Sequence, residues 1–253
     1  MAARKNNRGR RRNRGRFSFL YVLLSFLLIL IALVVGSVVF FRVGSIEVNG
    51  NDRYSAQEII DATQVQQGDN LFRLNTTKIS QALISELPYI RSASVGWDLP
   101  DGLIVTVTEC QAVACIQTET GWFLIDSRGK LLEQGSPSLK QKYPQVSGIS
   151  PLSPSAGQHI VVTESEELRL DALSGLLTAM ENRNLLSGLI DLKLDSNSTV
   201  SFGYTDRFTV EIPLSCDYDY KMRAMEFVIE HLEDNEVGLI DLTRDDKSFF
   251  IPQ

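Results

Sequence analysis

The sequence predicts an α+β protein that is held to a membrane by one N-terminal helix. Its charge is divided unevenly: residues 1–16 carry eight Lys or Arg and no acid, residues 17–41 carry no charge, and residues 42–253 carry 17 basic and 31 acidic residues. Beyond the uncharged segment, short alternating runs typical of strands are mixed with helical patterns. The net charge of −6 therefore describes no single part of the chain, and this division excludes a purely cytosolic globular protein.

The uncharged segment, residues 17–41, predicts a transmembrane helix. Its 25 residues would extend about 37 Å as an α-helix, enough to cross a hydrocarbon core of about 30 Å. A buried core helix would need a polar face, which this segment lacks. A cleavable signal peptide would have a shorter apolar stretch and small residues at its end, whereas this segment ends in Phe40-Phe41. We interpret it as an uncleaved signal anchor.

The basic head, residues 1–16, predicts the orientation of that anchor. Eight positive charges precede the span and the single Arg42 follows it, which places the N-terminus in the cytoplasm and residues 43–253 outside. Arginines mixed with Asn and Gly are also typical of disordered RNA-binding arms. We favour an orientation signal that lies against anionic lipid, and we expect no nucleic-acid partner.

The first module outside the membrane, residues 43–109, has the predicted order β-α-α-β-β. Its elements are a strand at 45–48, a helix opened by the capping box Ser55–Glu58, a helix from Asn75 or Thr76 to Pro88, a strand from Ile90 to Trp97, a turn at 99–102 and a return strand at 103–107.

The second module, residues 110–253, predicts a larger mixed α/β sheet domain. Its elements are a hairpin over 122–132, a helix opened by a capping box at Thr163–Glu166 with Leu168, Leu173, Leu176, Leu177 and Met180 facing inward, strands at 189–194, 199–202 and 207–212, a helix over 218–232, and strands at 238–242 and 247–251.

Three motifs in the first module resemble a known family. They are Ile46-x-Val48-x-Gly50-Asn51, Gly68-x-Asn70-Leu71-Phe72, and Leu99-Pro100-Asp101-x-Leu103-x-Val105-x-Val107-x-Glu109. In this order behind a type II anchor they resemble the FtsQ-type POTRA domain, and the whole chain resembles the bacterial division proteins FtsQ and DivIB. At the module junction, Glu109-Cys110-Gln111-Ala112 lacks the Arg and Pro that this family usually carries.

The resemblance implies a non-catalytic scaffold of the division complex in the bacterial cell membrane at the septum. It implies binding of FtsB/DivIC-like and FtsL-like coiled-coil proteins by strand addition, and through them a link to the septal peptidoglycan synthase. The residues that this implicates in partner binding are Asp241, Arg244, Lys247, Phe249, Phe250 and Ile251. An edge strand of the POTRA domain is a second candidate surface, through Arg91, Ala93, Val95 and Trp97.

The residues themselves indicate no catalytic site, and we expect no cofactor, no metal and no small-molecule substrate. The histidines, His159 and His231, lack partners at zinc-binding spacing. One alternative is a small metal-dependent glycosyltransferase that uses the Asp217-x-Asp219 pair, although acids at a helix start also serve as caps. The other is a POTRA-bearing transport or secretion factor, which would usually carry repeated POTRA units and a barrel.

The three cysteines predict no disulfide framework, since their number is odd. Cys110 and Cys115 are five residues apart in chain that we expect to be extended, which would separate them by roughly 16 Å on opposite faces of a strand. With Cys216, we expect them to be small buried hydrophobic residues.

Overall fold

The computed structural model describes residues 15–244 and 247–252. These residues form five α-helices and twelve β-strands, and the chain divides into two compact units. The first unit contains residues up to 47, with 65–75 and 96–104; the second contains 48–64, 76–95 and the chain from 105 onward. The predicted α+β class is confirmed. The unit bounds cut across the predicted first module, so the domain limits at 43–109 and 110–253 stay a prediction.

The first unit begins with the long apolar helix α1, Gly15–Phe40. Within it, Phe19–Phe40 has a mean hydropathy of 3.1 and none of it is buried. A helix of this composition would be insoluble if it were left in water, whereas 22 residues match the thickness of a bilayer. The predicted helix is confirmed at the length that a membrane span requires. The basic head lies outside the described residues up to position 14.

A three-stranded sheet follows α1 in the chain, in the order β1-β3-β2, and its residues are divided between the two units. Its strands are Ser45–Asn49 (β1), Ile90–Asp98 (β2) and Gly102–Glu109 (β3), and the helices between them are Ala56–Thr63 (α2) and Thr76–Glu86 (α3). The predicted order β-α-α-β-β is confirmed. Gly50 ends β1 at a φ of +82°, where a Cβ would collide with the carbonyl of Val107, so glycine is needed there.

Helix α2 starts where the capping box predicts. The Ser55 hydroxyl accepts a hydrogen bond from the Glu58 amide (3.2 Å), and the Glu58 carboxylate accepts one from the Ser55 amide (2.8 Å). These bonds satisfy donors that the first helical turn leaves free. Ile59 of α2 and Leu83 of α3 are fully buried, so the apolar positions read from the sequence face the interior.

A nine-stranded mixed sheet dominates the second unit, in the order β12-β11-β10-β9-β8-β7-β4-β5-β6. Its strands are Ala114–Thr118 (β4), Gly121–Ile125 (β5), Leu131–Gly135 (β6), Gln145–Ser147 (β7), Leu189–Lys193 (β8), Thr199–Tyr204 (β9), Phe208–Pro213 (β10), Gly238–Asp241 (β11) and Phe249–Pro252 (β12). The pairs β4–β7, β7–β8 and β10–β11 are parallel, and the others are antiparallel.

Two helices, Glu167–Asn182 (α4) and Tyr218–Glu230 (α5), pack against each other and against this sheet. Leu176 and Leu177 of α4 and Met222 of α5 are fully buried in one apolar cluster with alternate strand residues such as Phe202. A smaller cluster forms from Tyr89, Cys110, Cys115, Trp122, Leu124 and Leu132. Because Trp122 and Phe123 belong to different clusters, strand β5 is buried on both faces.

Two predictions for α4 are wrong. Thr163 makes no capping bond to the backbone; its hydroxyl pairs with that of Ser165 at 2.9 Å, and Glu166 instead accepts a bond from the amide of Ser150. A short 3₁₀ turn fills Glu164–Glu166, and the helix starts only at Glu167. Leu168 therefore lies in the first helical turn and is 64% exposed instead of facing inward.

The placement of two cysteines also differs from the prediction. The chain between β3 and β4 is irregular, so Cys110 and Cys115 do not lie on opposite faces of one strand. Both thiols are buried in the same small cluster, and neither forms a disulfide. Burial raises the pKa of Cys110 to about 11, with Asp126 contributing in the same direction, so the thiol stays protonated at neutral pH.

Candidate partner-binding edges

Strand β12 forms one edge of the nine-stranded sheet. It pairs antiparallel with β11, with Phe250 opposite Ile240 and Ile251 opposite Leu239. Among the described strands it has no neighbour on its other side. An edge strand presents unpaired N–H and C=O groups that a further strand can satisfy. The sequence-predicted residues Phe249, Phe250 and Ile251 therefore lie on a strand that is open to pairing.

The side chains of β12 divide between the two faces of the sheet. Phe250 is half-buried against the main core, and its ring meets that of Phe208 edge-on at a centroid distance of 6.2 Å. Phe249 and Ile251 point to the other face, where they are 39% and 51% exposed. Two exposed apolar side chains therefore lie together on the outer face, next to the open edge.

The residues just before β12 form a polar corner. The Asp241 carboxylate accepts bonds from the amide and hydroxyl of Thr243, which lower its pKa, and Arg244 and Lys221 add to that effect. The buried Lys221 ammonium donates to the Arg244 carbonyl at 2.8 Å, and the Arg244 guanidinium lies 5.5 Å from the Phe249 ring. Asp241 and Arg244 thus shape the chain that leads to the edge.

An open groove of about 510 Å³ lies on α5, beside the chain that precedes β12. It is lined by Tyr220, Arg223, Ala224, Phe227, Val228 and Ser248. The exposed Lys247 lines a smaller cavity next to it, with Tyr220 and Ser248. The predicted residues before β12 and those on the strand are therefore gathered in one region of the second unit.

Strand β2 is one edge of the three-stranded sheet, as predicted. Its first half, in the second unit, is already engaged. The ammonium of Lys130 donates to the Ile90 carbonyl, the Ser80 hydroxyl donates to the Ala93 carbonyl, and Arg91 pairs with Glu181. Val95 is half-buried. Trp97 belongs to the first unit, where its ring packs edge-on against Phe72.

A buried polar cluster that the sequence did not reveal holds this end of β2. Lys130 is only 2% exposed, and its ammonium donates to the carbonyls of Ile84 (2.9 Å) and Ile90 (2.7 Å). Ile84 lies in the last turn of α3, where carbonyls lack helical partners and favour a cation. Burial lowers the pKa of Lys130, and the neighbouring Cys110 and Asp126 oppose that shift.

The same cluster includes an ion pair between β2 and α4. Arg91 donates to Glu181 at 2.9 Å, and the Ser127 hydroxyl donates to the other carboxylate oxygen at 2.6 Å. Although burial alone would raise the pKa of Glu181, these two bonds lower it overall. Since Lys and Glu in hairpins and helices are mostly solvated, neither residue stands out in the sequence. The only local signal is the turn Asp126–Lys130, in which Asp126 accepts two amide bonds.

The carboxylates that suggested metal chemistry are engaged in structural contacts. Asp217 caps α5 by accepting a bond from the Tyr220 amide at 2.9 Å, and Asp219 pairs with Arg183 at 2.8 Å. Across residues 15–244 and 247–252, no group of three or more His, Cys, Asp or Glu side chains is placed to hold a metal ion. His231 ends α5 exposed, with its Nδ1 2.7 Å from the Phe227 carbonyl. These contacts match the helix-cap interpretation of the Asp217-x-Asp219 pair.

The described residues form a helix of transmembrane length, a β-α-α-β-β unit and a large mixed sheet, which is the element order expected of a POTRA-bearing membrane protein. In agreement, the family profile described as "POTRA domain, FtsQ-type" matches residues 41–109. The predicted FtsQ-type POTRA domain is confirmed.

Proteins similar to this chain are cell division proteins by name. It is 33% identical over 98 residues to the cell division protein FtsQ of Corynebacterium glutamicum, covering 39% of this chain and 44% of that protein. It is 23% identical to the cell division protein DivIB of Clostridium tetani, over 71% of this chain and 66% of that protein. It is 23% identical to DivIB of Bacillus subtilis, over 94% of this chain and 84% of that protein. The predicted resemblance to FtsQ and DivIB is confirmed, although the alignment spans less than two thirds of the first two relatives.

Proposed function

We propose that this chain is a non-catalytic, membrane-anchored scaffold of the bacterial division complex. In this proposal the open edge of β12 accepts a strand from a small coiled-coil division protein of the FtsB/DivIC type, which associates with an FtsL-like protein. The assembly links this chain to septal peptidoglycan synthesis. The division role itself is supported by the names of the relatives, and the mode of binding is supported by the edge.

The observation that carries the binding mode is the combination of an open backbone edge with exposed apolar side chains beside it. Phe249 and Ile251 lie on the outer face, where alternate side chains of an added strand would meet them. Backbone pairing would supply affinity, and these two side chains would supply selectivity for apolar residues at alternate positions of the partner. The half-buried Phe250 would anchor β12 to the core and would not touch the partner.

The orientation is part of the proposal. The positive-inside rule, applied to the basic head and to Arg42, supports an N-terminus in the cytoplasm and sheets outside it. The names of the relatives support a place at the division septum. The POTRA edge strand β2 is the less available of the two predicted surfaces, because Lys130 occupies the Ile90 carbonyl and Arg91 is paired with Glu181. Both modules would then act by contact and not by chemistry.

The test compares two exposed isoleucines on the nine-stranded sheet. Ile251 lies on the edge strand and is 51% exposed, whereas Ile190 lies on the central strand β8 and is 44% exposed. In the purified full chain, Ile251→Glu should weaken binding of a coiled-coil division protein by about tenfold or more, because a charge would be buried on strand addition. The matched control Ile190→Glu should leave the dissociation constant unchanged.

Equal binding by Ile251→Glu and the unaltered chain, with both folded by circular dichroism, would exclude strand addition at β12. Failure of the unaltered chain to bind any coiled-coil division protein would overturn the proposed role as a whole. Phe250→Glu is a poorer probe, since Phe250 packs against Phe208 and its loss would disturb the fold itself.

A further inference from the structure

The loop over residues 68–74 lies against the last turn of helix α1. The side-chain amide of Asn70 donates to the Ser37 carbonyl at 2.9 Å, and the Leu71 amide donates to the Phe41 carbonyl at 3.0 Å. Ser37 lies three residues before the end of the helix at Phe40, which is about 4.5 Å along its axis. The loop is therefore at the depth at which the apolar helix ends.

The tip of the β2–β3 hairpin lies at the same level. The amides of Gly44 and Ser45 donate to the Asp101 carbonyl at 2.8 and 3.3 Å, only four and five residues beyond the helix. The loop and the tip are tied to the same short connection, since the Val43 amide donates to the Asp69 carbonyl at 2.8 Å. All of these residues belong to the first compact unit.

Aromatic rings continue from the helix to the hairpin tip. The ring of Phe41 meets that of Phe72 at a centroid distance of 4.9 Å, and Phe72 meets Trp97 at 5.6 Å. Despite these contacts, Phe72 is 48% exposed, Trp97 is 47% exposed, and Leu99 at the tip is 54% exposed. Three large apolar side chains are thus left open beside the end of a membrane-spanning helix.

The length of the helix sets where these side chains lie in a bilayer. The 22 residues of Phe19–Phe40 extend about 33 Å, against about 30 Å for the hydrocarbon core. The end of the helix, and with it the loop and the tip, reaches the interfacial layer, where aromatic rings are favoured. What would be an unfavourable exposed patch in water is then favourable next to headgroups and the upper acyl chains.

The charges on this surface are mixed. Arg42 and Arg73 line an open groove of about 460 Å³ beside Val38, where phosphate groups can reach them. Asp69, Asp98 and Asp101 lie on the same unit. Because acids and bases are interspersed, anionic lipid is not specifically attracted, and the apolar side chains must carry the contact.

We propose that the first unit rests in the interfacial layer of the bilayer, with Phe72, Trp97 and Leu99 inserted between the lipids as a wedge. The wedge fixes the unit against the membrane surface, so that the unit does not rotate freely about the end of helix α1. This inference depends on the membrane span and on contacts within the first unit. It does not depend on the proposed division role, on the partner or on the orientation of the anchor.

The chain carries its own probe for this proposal, since its two tryptophans are Trp97 at the wedge and the buried Trp122. The full chain is reconstituted in phosphatidylcholine vesicles with or without bromine atoms at an upper acyl position, and tryptophan emission is recorded. In a Trp122→Phe variant, bromolipid should reduce the emission about twofold, because interfacial aromatic rings touch the upper acyl chains. In Trp97→Phe, which leaves Trp122, emission should not change.

If Trp122→Phe does not fold, the unaltered chain and Trp97→Phe are compared, and their difference reports Trp97 alone. Addition of anionic lipid should not alter the quenching, and quenching that requires anionic lipid would overturn an apolar wedge. The proposal would also be overturned if bromolipid did not quench the emission of Trp97 while aqueous iodide did. Phe72→Ser with Leu99→Ser should reduce the quenching of Trp97, whereas Phe227→Ser, at an aromatic residue of the second unit that is 62% exposed, should not.

Discussion

Strands β12 and β2 each form one edge of a sheet, and the rest of the fold leaves the first open and partly closes the second. Strand β12 is short, with Phe249 and Ile251 exposed on its outer face and no neighbour beyond it among the described strands. Strand β2 is nine residues long, but the carbonyl of Ile90 is occupied by Lys130 and its Arg91 is paired with Glu181. A long open edge strand can pair non-specifically with strands of other proteins. On β2, side chains from elsewhere in the chain cover part of the edge and prevent this.

An edge strand is a binding surface only if the rest of the fold leaves it open. Both edges are visible in the sequence as alternating runs near turns. Their difference comes from residues far away in the chain, since Lys130 and Glu181 are about 40 and 90 residues from the carbonyl and guanidinium that they hold.

The largest effect is expected from removing the ammonium that closes β2. Lys130→Met would leave the carbonyls of Ile84 and Ile90 buried without a donor, and the free energy of unfolding should fall by about 3 kcal/mol. Denaturant titration of the full chain in detergent measures this. The control Lys193→Met removes an exposed ion pair with Asp191 and should cost less than about 0.5 kcal/mol. A loss for Lys130→Met as small as that of the control would show that the closed edge does not depend on the ammonium.

The two neighbouring phenylalanines of β12 should respond in opposite ways. Phe250→Ala removes packing against Phe208 and should lower the free energy of unfolding by about 2 kcal/mol. Phe249→Ala, on the exposed face, should lower it by less than about 1 kcal/mol but should weaken partner binding several-fold. Thermal melting and binding measured on the same samples decide this. Equal stability losses would mean that both rings serve the core.

Acid should weaken the closed edge, because the bonds from Arg91 and Ser127 hold the pKa of Glu181 below its usual value. The folded pKa of Glu181 lies below its unfolded value of about 4.3, so its contribution is present above that pH and is lost as the pH falls through the lowered pKa. Glu181→Gln should cost about 1 kcal/mol at pH 7 and should flatten the fall in stability between about pH 5 and pH 3. The exposed Glu119→Gln makes the same change of charge and serves as the control. An unchanged pH profile in Glu181→Gln would contradict the assignment.

The smallest effect is expected on β2 itself. Val95→Lys adds a charge to the POTRA edge strand, yet the affinity for a coiled-coil division protein should change by less than about twofold, because the proposed strand addition uses β12. Isothermal titration with the partner used for Ile251→Glu makes the two numbers comparable. A loss at Val95→Lys as large as that at Ile251→Glu would assign binding to both edges.

Features that depend on neighbouring residues were predictable from the sequence. An uncharged run of sufficient length must leave water, so the span of α1 was predictable. A capping box acts within one turn, so the start of α2 was predicted correctly at Ser55. Alternation of apolar residues specifies strands, so the order β-α-α-β-β and most strands of the larger sheet were found.

Features that depend on distant parts of the chain became visible in the folded structure alone. The segment Thr163–Glu166 has the local pattern of a capping box. Glu166 instead accepts a bond from the Ser150 amide, and the helix starts only at Glu167. Cys110 and Cys115 meet in one cluster because the chain between β3 and β4 is irregular. Lys130 has the sequence signature of a solvated turn and is instead buried. Local patterns predict which element forms. Whether β12 is open, whether β2 is closed and whether the Lys130 ammonium is buried all depend on which elements pack beside them.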